Sequence, residues 1–425
     1  MGNERNILRN RPLLTLMYGH FTVDTYVGLL PVLFPLLRQQ YALDLRTVGL
    51  VSLAYSGVAS LSQPLFGWLA DRYGTRFAGI PLAWSAIMFA TIGFAPNFRV
   101  LLVLAALAGL GSGAYHPMGA MNANAVIPEK RRNMAMSVYV TGGTLGVALG
   151  PVLGAVLFSV FGLRGTALMF FPGIFAAILL LFEMRKIALP RTHLRTPVVR
   201  SQQTAPLVSR ETSPPVRVPL LPLIAVILVM ASRSWTVLGI EAFIPTWYQS
   251  LGYSAAFYGP LATTVVLASA LGTIGSGSLA DRFGRRTVIV ALLIFTIPAI
   301  ILFTAFTGPI AFATGALIGL LAASTSPLML VMAQQLMAGR AGLASGLILG
   351  LGFITGAIGV PINGAIADNY GITATMRFQV VIVAVSIVIA LFLPTEKFLR
   401  DLALRRSIPV HTGPVAIPAI AGDGD

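Results

Sequence analysis

Two ten-residue stretches decide the fold, GWLADRYGTR at 67–76 and GSLADRFGRR at 277–286. They share the pattern Gly-x-Leu-Ala-Asp-Arg-x-Gly-x-Arg, and the second follows the first by 210 residues (277 minus 67). The same shift superimposes further glycines and prolines of the two halves: Pro35 on Pro245, Pro117 on Pro327, Gly142 on Gly352, Gly146 on Gly356, Pro151 on Pro361 and Gly154 on Gly364. A constant shift preserved over this length predicts an internal duplication, with the same order of helices in both halves.

The composition places both halves in a membrane. Of the 425 residues, 56% are hydrophobic and only 10% charged, too few charged side chains for a water-soluble domain of this size. A helix needs about 20 apolar residues to cross the hydrocarbon layer of a bilayer. Twelve runs have this length, at 13–37, 48–70, 78–95, 100–126, 134–160, 165–183, 220–249, 257–280, 288–306, 310–337, 342–367 and 375–393.

The positive charge is unevenly distributed. The formal net charge is +15, and the lysines and arginines crowd the termini, a central segment and alternate loops. In the termini and the alternate loops they are Arg5, Arg9, Arg11, Arg72, Arg76, Lys130, Arg131, Arg132, Arg282, Arg285, Arg286, Lys397, Arg400, Arg405 and Arg406. Cytoplasmic loops carry this excess, so we expect a protein of the bacterial inner membrane with both termini in the cytoplasm. We expect the basic segments to face anionic membrane lipids and not nucleic acid.

These patterns predict an all-α membrane protein with twelve transmembrane helices in two pseudo-symmetric six-helix bundles. We expect the bundles at 1–183 and 219–394, a flexible cytoplasmic linker at 184–218 and a cytoplasmic tail at 395–425. Two bundles of like orientation would enclose a cavity near the middle of the membrane and alternate its access by rocking. A channel is an alternative, but a duplicated bundle with charges at mid-membrane favours a carrier.

The residues for enzyme chemistry are scarce. The chain has no cysteine and only four histidines, which gives neither a nucleophile with its base nor a cluster of metal ligands. We therefore expect no enzyme activity, no cofactor and no metal.

The repeated stretch resembles the loop motif of the major facilitator superfamily, and the resemblance covers nearly the whole chain. A second match is GVALGPVLG at 146–154, which is similar to the helix motif of the antiporters in that superfamily. Its glycines and proline are Gly146, Gly150, Pro151 and Gly154. The resemblance implies the major facilitator fold, a monomer, and transport of a small molecule by alternating access.

A narrower resemblance is to the fosmidomycin resistance group. GHFTVDTYVGLLPVLFPLL at 19–37 and GLGSGAYHPMGAMNANA at 109–125 fit its pattern in order, although Met118 stands where the group carries a glutamate. The resemblance implies proton-coupled efflux, by antiport, of a small organic and sometimes anionic compound or drug, and hence antibiotic resistance. The alternative is a proton symporter that takes up a small organic anion or metabolite.

The loop motif predicts a conformational latch on the cytoplasmic side. Its glycines would permit a close helix contact and a tight turn, while an aspartate at a helix end can meet a neighbouring helix or an arginine. The residues concerned are Gly67, Asp71, Arg72, Arg76, Asp281 and Arg282. The alternative is that the charged residues only keep the loops in the cytoplasm. That role would require the arginines but neither the aspartates nor the glycines of the motif.

A stripe of glycines predicts close helix packing. Gly142, Gly146, Gly150 and Gly154 stand at every fourth position, and small residues at that spacing let two helix backbones approach. Pro151 would add a bend in the same helix.

Charged and polar side chains within the apolar runs predict the functional site, because such groups are costly in a membrane. Asp24 lies near the middle of the first run with His20 one turn earlier, so both can face one cavity. Arg233 and Glu241 lie in the seventh run, and His116 in the fourth. We expect Asp24, His20 and Glu241 to couple protons.

The remaining candidates are expected to contact substrate: Arg233, His116, Tyr26, Asn122 and Trp235. Arg233 favours an anionic substrate. Two simpler interpretations stay open. Asp24 and Arg233 could form an ion pair that ties the halves together. Each histidine could merely bond a backbone carbonyl.

Overall fold

A computed structural model describes residues 10–126, 132–187, 218–337 and 341–407, and every regular element in these ranges is a helix. The first half contains α1 (Arg11–Tyr41), α2 (Leu45–Ser52), α3 (Val58–Tyr73), α4 (Gly79–Thr91), α5 (Phe98–Ala125), α6 (Arg132–Phe161) and α7 (Phe170–Ile187). The second half contains α8 (Leu220–Ser250), α9 (Ala255–Phe283), α10 (Arg285–Ala305), α11 (Ile310–Ala322), α12 (Ser326–Leu336), α13 (Ala341–Tyr370) and α14 (Ile372–Ala390), followed by α15 (Glu396–Ser407).

The helices combine into twelve passes. A π-helical turn at Leu53–Gly57 joins α2 to α3, and α11 and α12 follow one another within a single apolar stretch. In the described ranges nine stretches are long and apolar enough to cross a membrane, and one of them, Val138–Met184, contains both α6 and α7. The remaining two passes are α2–α3 and the shorter apolar helix Gly79–Phe94. The predicted all-helical fold is confirmed.

Several predicted segments lie outside the described residues. They are most of the linker, at 188–217, the basic stretches at 1–9 and 127–131, and the end of the tail at 408–425. The tail begins with α15, a helix that the hydropathy pattern does not predict.

The repeated motif forms the same turn in both halves. Gly74 and Gly284 follow α3 and α9 with φ angles of 85° and 83°, a left-handed conformation that residues with a Cβ rarely adopt. The tight turn predicted for Gly74 is confirmed. The close helix contact predicted for Gly67 is not found in this conformation, because a Cβ there would have Pro117 Cβ as its nearest neighbour, at an ordinary 3.8 Å.

The glycine stripe of α6 packs against α1. A Cβ at Gly146 would collide with the Phe21 carbonyl oxygen, and one at Gly150 would lie 2.5 Å from Gly28 Cα. A Cβ at Gly154 would lie 2.9 Å from Leu29. The predicted close approach of the two backbones is confirmed. This contact determines which face of α1 packs against α6, and therefore which face points to the other helices.

The two halves are joined on one face of the molecule, the face on which α1 ends and α2 begins; we call it the turn face. There Asp368 of α13 accepts hydrogen bonds from the backbone N–H groups of Leu45 (2.7 Å) and Arg46 (2.8 Å) at the start of α2. A third bond runs from the Val152 N–H to Thr263 Oγ1 (3.2 Å). We call the opposite face, where α1 begins and α14 ends, the terminal face.

Three glycines of the second half lie in open space toward the terminal face. Gly275 and Gly277, near its end of α9, have no neighbouring atom within 4 Å of where a Cβ would stand. Gly350 of α13 is equally free. Beside these three glycines the described chain leaves open space, and the hydrogen bonds between the halves named above lie on the turn face.

Candidate functional site

Three polar side chains of the first half converge inside the membrane. His20 and Asp24 lie one turn apart on α1, and His116 reaches them from α5. Asp24 Oδ2 is 3.2 Å from His20 Nε2, and Asp24 Oδ1 is 3.1 Å from His116 Nε2. The side chains of His20, Asp24 and His116 are only 10%, 15% and 26% exposed. We call this set the His–Asp–His cluster.

Backbone carbonyls fix the orientation of both imidazoles. His20 Nδ1 lies 2.9 Å from the Tyr139 carbonyl oxygen, and His116 Nδ1 lies 2.7 Å from the Ser112 carbonyl oxygen. A carbonyl can only accept, so each Nδ1 carries the hydrogen and donates it. Each Nε2 is then without a hydrogen as long as the ring is neutral.

The two contacts between Asp24 and the histidines are favourable only when a proton lies in each of them. A neutral Nε2 and an ionised carboxylate oxygen would face each other with lone pairs only, at 3.1–3.2 Å. Each contact becomes a hydrogen bond when a proton lies on the nitrogen or on the oxygen. The cluster therefore has places for two shared protons, and its net charge changes from minus one when empty to plus one when both are bound.

The cluster depends on two further residues. The His20 ring stacks on Tyr139 with centroids 4.2 Å apart. Gly143 of α6 leaves the space that the cluster fills, because a Cβ there would collide with Asp24 Oδ2 and lie 2.6 Å from His20 Nε2. No sequence pattern assigns a role to Gly143, and its one signal is that it adjoins Gly142 of the predicted stripe.

The sequence predicts no metal site, but the side chains of the cluster include possible metal ligands. Its two imidazoles and one carboxylate can offer ligand atoms within 4.8 Å of one another, a set that could hold a metal ion. The two contacts have hydrogen-bond length, which favours shared protons.

The second half holds Arg233 and Glu241 apart from this cluster. Arg233 Nη2 donates to the Ala323 carbonyl oxygen (2.7 Å), and the guanidinium Nε has no partner within the described ranges. Among the described residues no ion pair joins Arg233 to Asp24, whose oxygens face the two histidines. The interpretation in which this pair ties the halves together therefore does not hold in this conformation.

A cavity lies between the halves, next to the contacts of the turn face. Residues of α1, α2 and α6 form one wall, and residues of α8, α9 and α13 form the other. The space free of protein atoms there is about 570 Å³, part of which is open to solvent. Pro151 and Glu241 are the predicted site residues that line it, and Ser52 and Ser56 add hydroxyl groups.

The other predicted substrate contacts lie elsewhere. The Tyr26 ring is buried against Phe89, with centroids 4.8 Å apart, and its hydroxyl donates to the Met169 carbonyl. Asn122 is buried and accepts a hydrogen bond from Thr75. In this conformation both side chains stabilise the first half and do not line the cavity.

Trp235 packs between helices of the second half. Its Nε1 donates to Asn363 Oδ1 (3.0 Å), and a Cβ at Gly359 would lie 2.8 Å from its ring. His116, for which the sequence predicts a substrate contact, has its Nε2 3.1 Å from Asp24 Oδ1 and is part of the His–Asp–His cluster.

The predicted latch residues lie at the terminal face. Arg72, Arg76 and Arg282 are exposed, and each guanidinium lies over the aromatic ring of the next residue in the chain, at 4.4–5.7 Å from the centroid. Asp281 is exposed as well, and the side chain of Asp71 lies outside the described residues. Their role as a latch stays a prediction.

The sequence of this chain matches a known family of membrane transporters. The family model described as "Major Facilitator Superfamily" matches residues 16–275 and 224–417. An uncharacterized MFS-type transporter of Bacillus subtilis, YfnC, is 31% identical over 398 residues, which cover 90% of this chain and 92% of that protein. The fosmidomycin resistance protein of Escherichia coli is 27% identical, covering 83% of this chain and 86% of its own length.

Further matches agree. The multidrug resistance protein MdtG of Escherichia coli strain 55989 is 26% identical and covers 88% of this chain and 91% of its own length. The solved structure of a bacterial homologue of the human lysosomal transporter Spinster superimposes with a TM-score of 0.73 at 17% identity, over 94% of this chain and 99% of that chain. These findings make the chain an integral membrane protein of transporter type.

Proposed function

Because this chain belongs to the major facilitator superfamily, we propose that it is a secondary transporter that exports a small organic compound in exchange for protons. The observation that carries the proposal is the His–Asp–His cluster. Asp24 faces two imidazole nitrogens whose rings are oriented by backbone carbonyls, so the contacts are favourable only when protons are shared. A site that must gain and lose protons inside a membrane is the part that proton coupling requires.

The access route follows from the two faces. Basic residues are concentrated on the terminal face, which we assign to the cytoplasm of a bacterial inner membrane. The contacts between the halves then lie toward the outside, at Asp368 and Thr263. Export requires these contacts to break and new ones to form on the cytoplasmic side. We assign that closure to the loop motif, with Asp71 and Asp281 at its centre.

Efflux is favoured over uptake by the relatives and by α6. Two relatives carry names that state resistance, to fosmidomycin and to multiple drugs. The glycine stripe of α6, which resembles the antiporter motif, also packs against the helix that bears Asp24. A rotation or tilt of α6 at Pro151 would therefore change the surroundings of Asp24 directly. The transporter would act as a monomer surrounded by lipid.

The test is flux in liposomes that contain the purified chain. A pH difference is imposed across the membrane, and a panel of small organic anions, cations and neutral drugs is offered from either side. Antiport predicts that substrate moves against the direction of proton flow. Movement of substrate together with protons would establish the symport alternative, and flux that ignores the pH difference would refute proton coupling.

A further inference from the structure

The His–Asp–His cluster has the donor atoms of a transition-metal site. Two imidazole nitrogens and one carboxylate oxygen lie within 4.8 Å of one another. The contacts of Asp24, 3.2 Å to His20 Nε2 and 3.1 Å to His116 Nε2, also nearly equal the edges of a tetrahedral zinc site. With zinc–ligand bonds of about 2.0–2.1 Å, such an edge is about 3.3 Å long. Distances that suit shared protons therefore suit the ligands of a metal ion as well.

The hydrogen bonds of both histidines are those of metal-ligating imidazoles. A histidine that binds a metal through one ring nitrogen usually donates the hydrogen of the other nitrogen to a carbonyl or carboxylate oxygen. Here His20 Nδ1 donates to the Tyr139 carbonyl oxygen (2.9 Å), and His116 Nδ1 donates to the Ser112 carbonyl oxygen (2.7 Å). Each neutral ring therefore keeps a lone pair on Nε2, and both of these nitrogens face Asp24.

A divalent ion also matches the charge of the cluster. With two neutral imidazoles and an ionised carboxylate the cluster carries minus one, so a divalent ion brings it to plus one, the same net charge as two bound protons. The His116 side chain is 26% exposed, compared with 10% for His20. The side of the cluster at His116 is therefore the more open to a small ion, and to a water molecule as the fourth ligand of the metal.

We infer that the His–Asp–His cluster binds a divalent transition-metal ion, such as Zn²⁺, in place of its shared protons. Two nitrogen ligands favour Zn²⁺, Co²⁺ or Ni²⁺ over Mg²⁺ and Ca²⁺, which prefer oxygen ligands. A bound ion would occupy both positions of the shared protons and so exclude them.

This inference revises the sequence-based expectation that the chain has no metal site. Three ligands come together only because α5 packs beside α1 and brings His116 to Asp24. The inference goes beyond the proposed function and does not depend on it, because the ligand atoms have the same arrangement whether or not the chain transports protons.

The experiment measures metal binding to the purified full-length chain in lipid nanodiscs. The chain is purified through a tag without histidine, and Zn²⁺ is titrated in competition with a fluorescent zinc chelator, with Mg²⁺ as the control ion. Co²⁺ is the second probe, because its visible absorption is strong only in a tetrahedral site. Asp24→Asn, His20→Gln and His116→Gln each remove one ligand. The matched control is the double variant His193→Gln and His411→Gln, which removes the other two histidines of the chain.

We expect the wild type to bind Zn²⁺ in excess Mg²⁺ and to give the tetrahedral Co²⁺ spectrum. Each variant of a ligand should weaken Zn²⁺ binding at least about tenfold, and the double control should change it less than about twofold. Thermal unfolding shows which variants are folded. A wild type that binds no Zn²⁺, or that gives only an octahedral Co²⁺ spectrum, would overturn the inference without any variant. Equal Zn²⁺ affinity in the wild type and the folded ligand variants would overturn it as well.

Failure of this inference differs from failure of the proposed function. Zinc binding through the cluster, in a chain without any pH-driven flux, would refute antiport and leave the inference intact. A pH-driven flux in a chain that does not bind Zn²⁺ would refute the inference alone.

Discussion

Replacing Asp368 by Asn should open the turn face. Asp368 belongs to the second half, yet its two carboxylate oxygens cap the first N–H groups of α2 in the first half, at 2.7 and 2.8 Å. Removal of an N-capping side chain costs about 1 kcal/mol and up to about 2 kcal/mol. Since Asp368 is exposed and Asn keeps one acceptor oxygen, we expect about 1 kcal/mol, or roughly a fivefold shift toward the conformation with an open turn face.

The assay uses the absence of native cysteine. A cysteine introduced at Ala155, which is buried near the contact of α6 with α9, reports opening of the turn face by its reaction with a membrane-impermeant maleimide. Asp368→Asn should raise the labelling rate about fivefold over the parent protein.

Asp44→Asn provides the control. Asp44 caps the same helix from within its own half, through the Thr47 N–H at 2.7 Å, and hydrogen bonds from Thr47 lower its pKa. Its replacement should weaken α2 without releasing the second half. Equal labelling in the two variants, with both folded, would refute the reasoning that Asp368 holds the halves together.

Three further predictions concern single substitutions, two in the packing of α6 and one in the loop motif. Gly143→Ala should abolish transport by displacing Asp24 and His20, whereas Gly275→Ala, in open space, should keep normal flux; equal flux would contradict the first account. Gly150→Ala should lower the free energy of unfolding by about 1–3 kcal/mol and Gly350→Ala should not, as measured by thermal unfolding. Asp71→Ala should raise labelling of cysteines on the terminal face, and unchanged labelling would leave only its role as an anchor.

The sequence predicts the passes and the duplication because the membrane imposes both. In lipid the backbone N–H and C=O groups must form hydrogen bonds within the helix itself, so a segment that crosses the membrane is a long helix. The length of an apolar run alone therefore locates most passes. Where Ser, Gly and Pro interrupt the apolar run, as in α2–α3, length and hydropathy give a weaker signal. The spacing of the glycines predicts the close packing of α6, because a stripe of small residues on one helix depends on neighbouring sequence positions alone.

The site was only partly predictable. His20 and Asp24 share a face of one helix, so the sequence brings them together. His116 joins them only through the packing of α5 beside α1, which no spacing reveals, and the sequence assigns it to substrate. The shift of 210 residues places Arg233 one residue before the position equivalent to Asp24 (24 plus 210 is 234), which favours a pairing of the two charges. Equivalent positions in duplicated halves need not face each other, and here Arg233 donates to the Ala323 carbonyl.

The central claim is that the His–Asp–His cluster carries the coupled proton, and the most direct measurement compares two fluxes in Asp24→Asn. One is uptake into liposomes driven by a pH difference, and the other is counterflow exchange of labelled for unlabelled substrate without any pH difference. We predict that Asp24→Asn loses the driven flux and keeps part of the exchange, because the cavity persists while the proton site is gone. A variant that responds to the pH difference like the wild type would contradict the account.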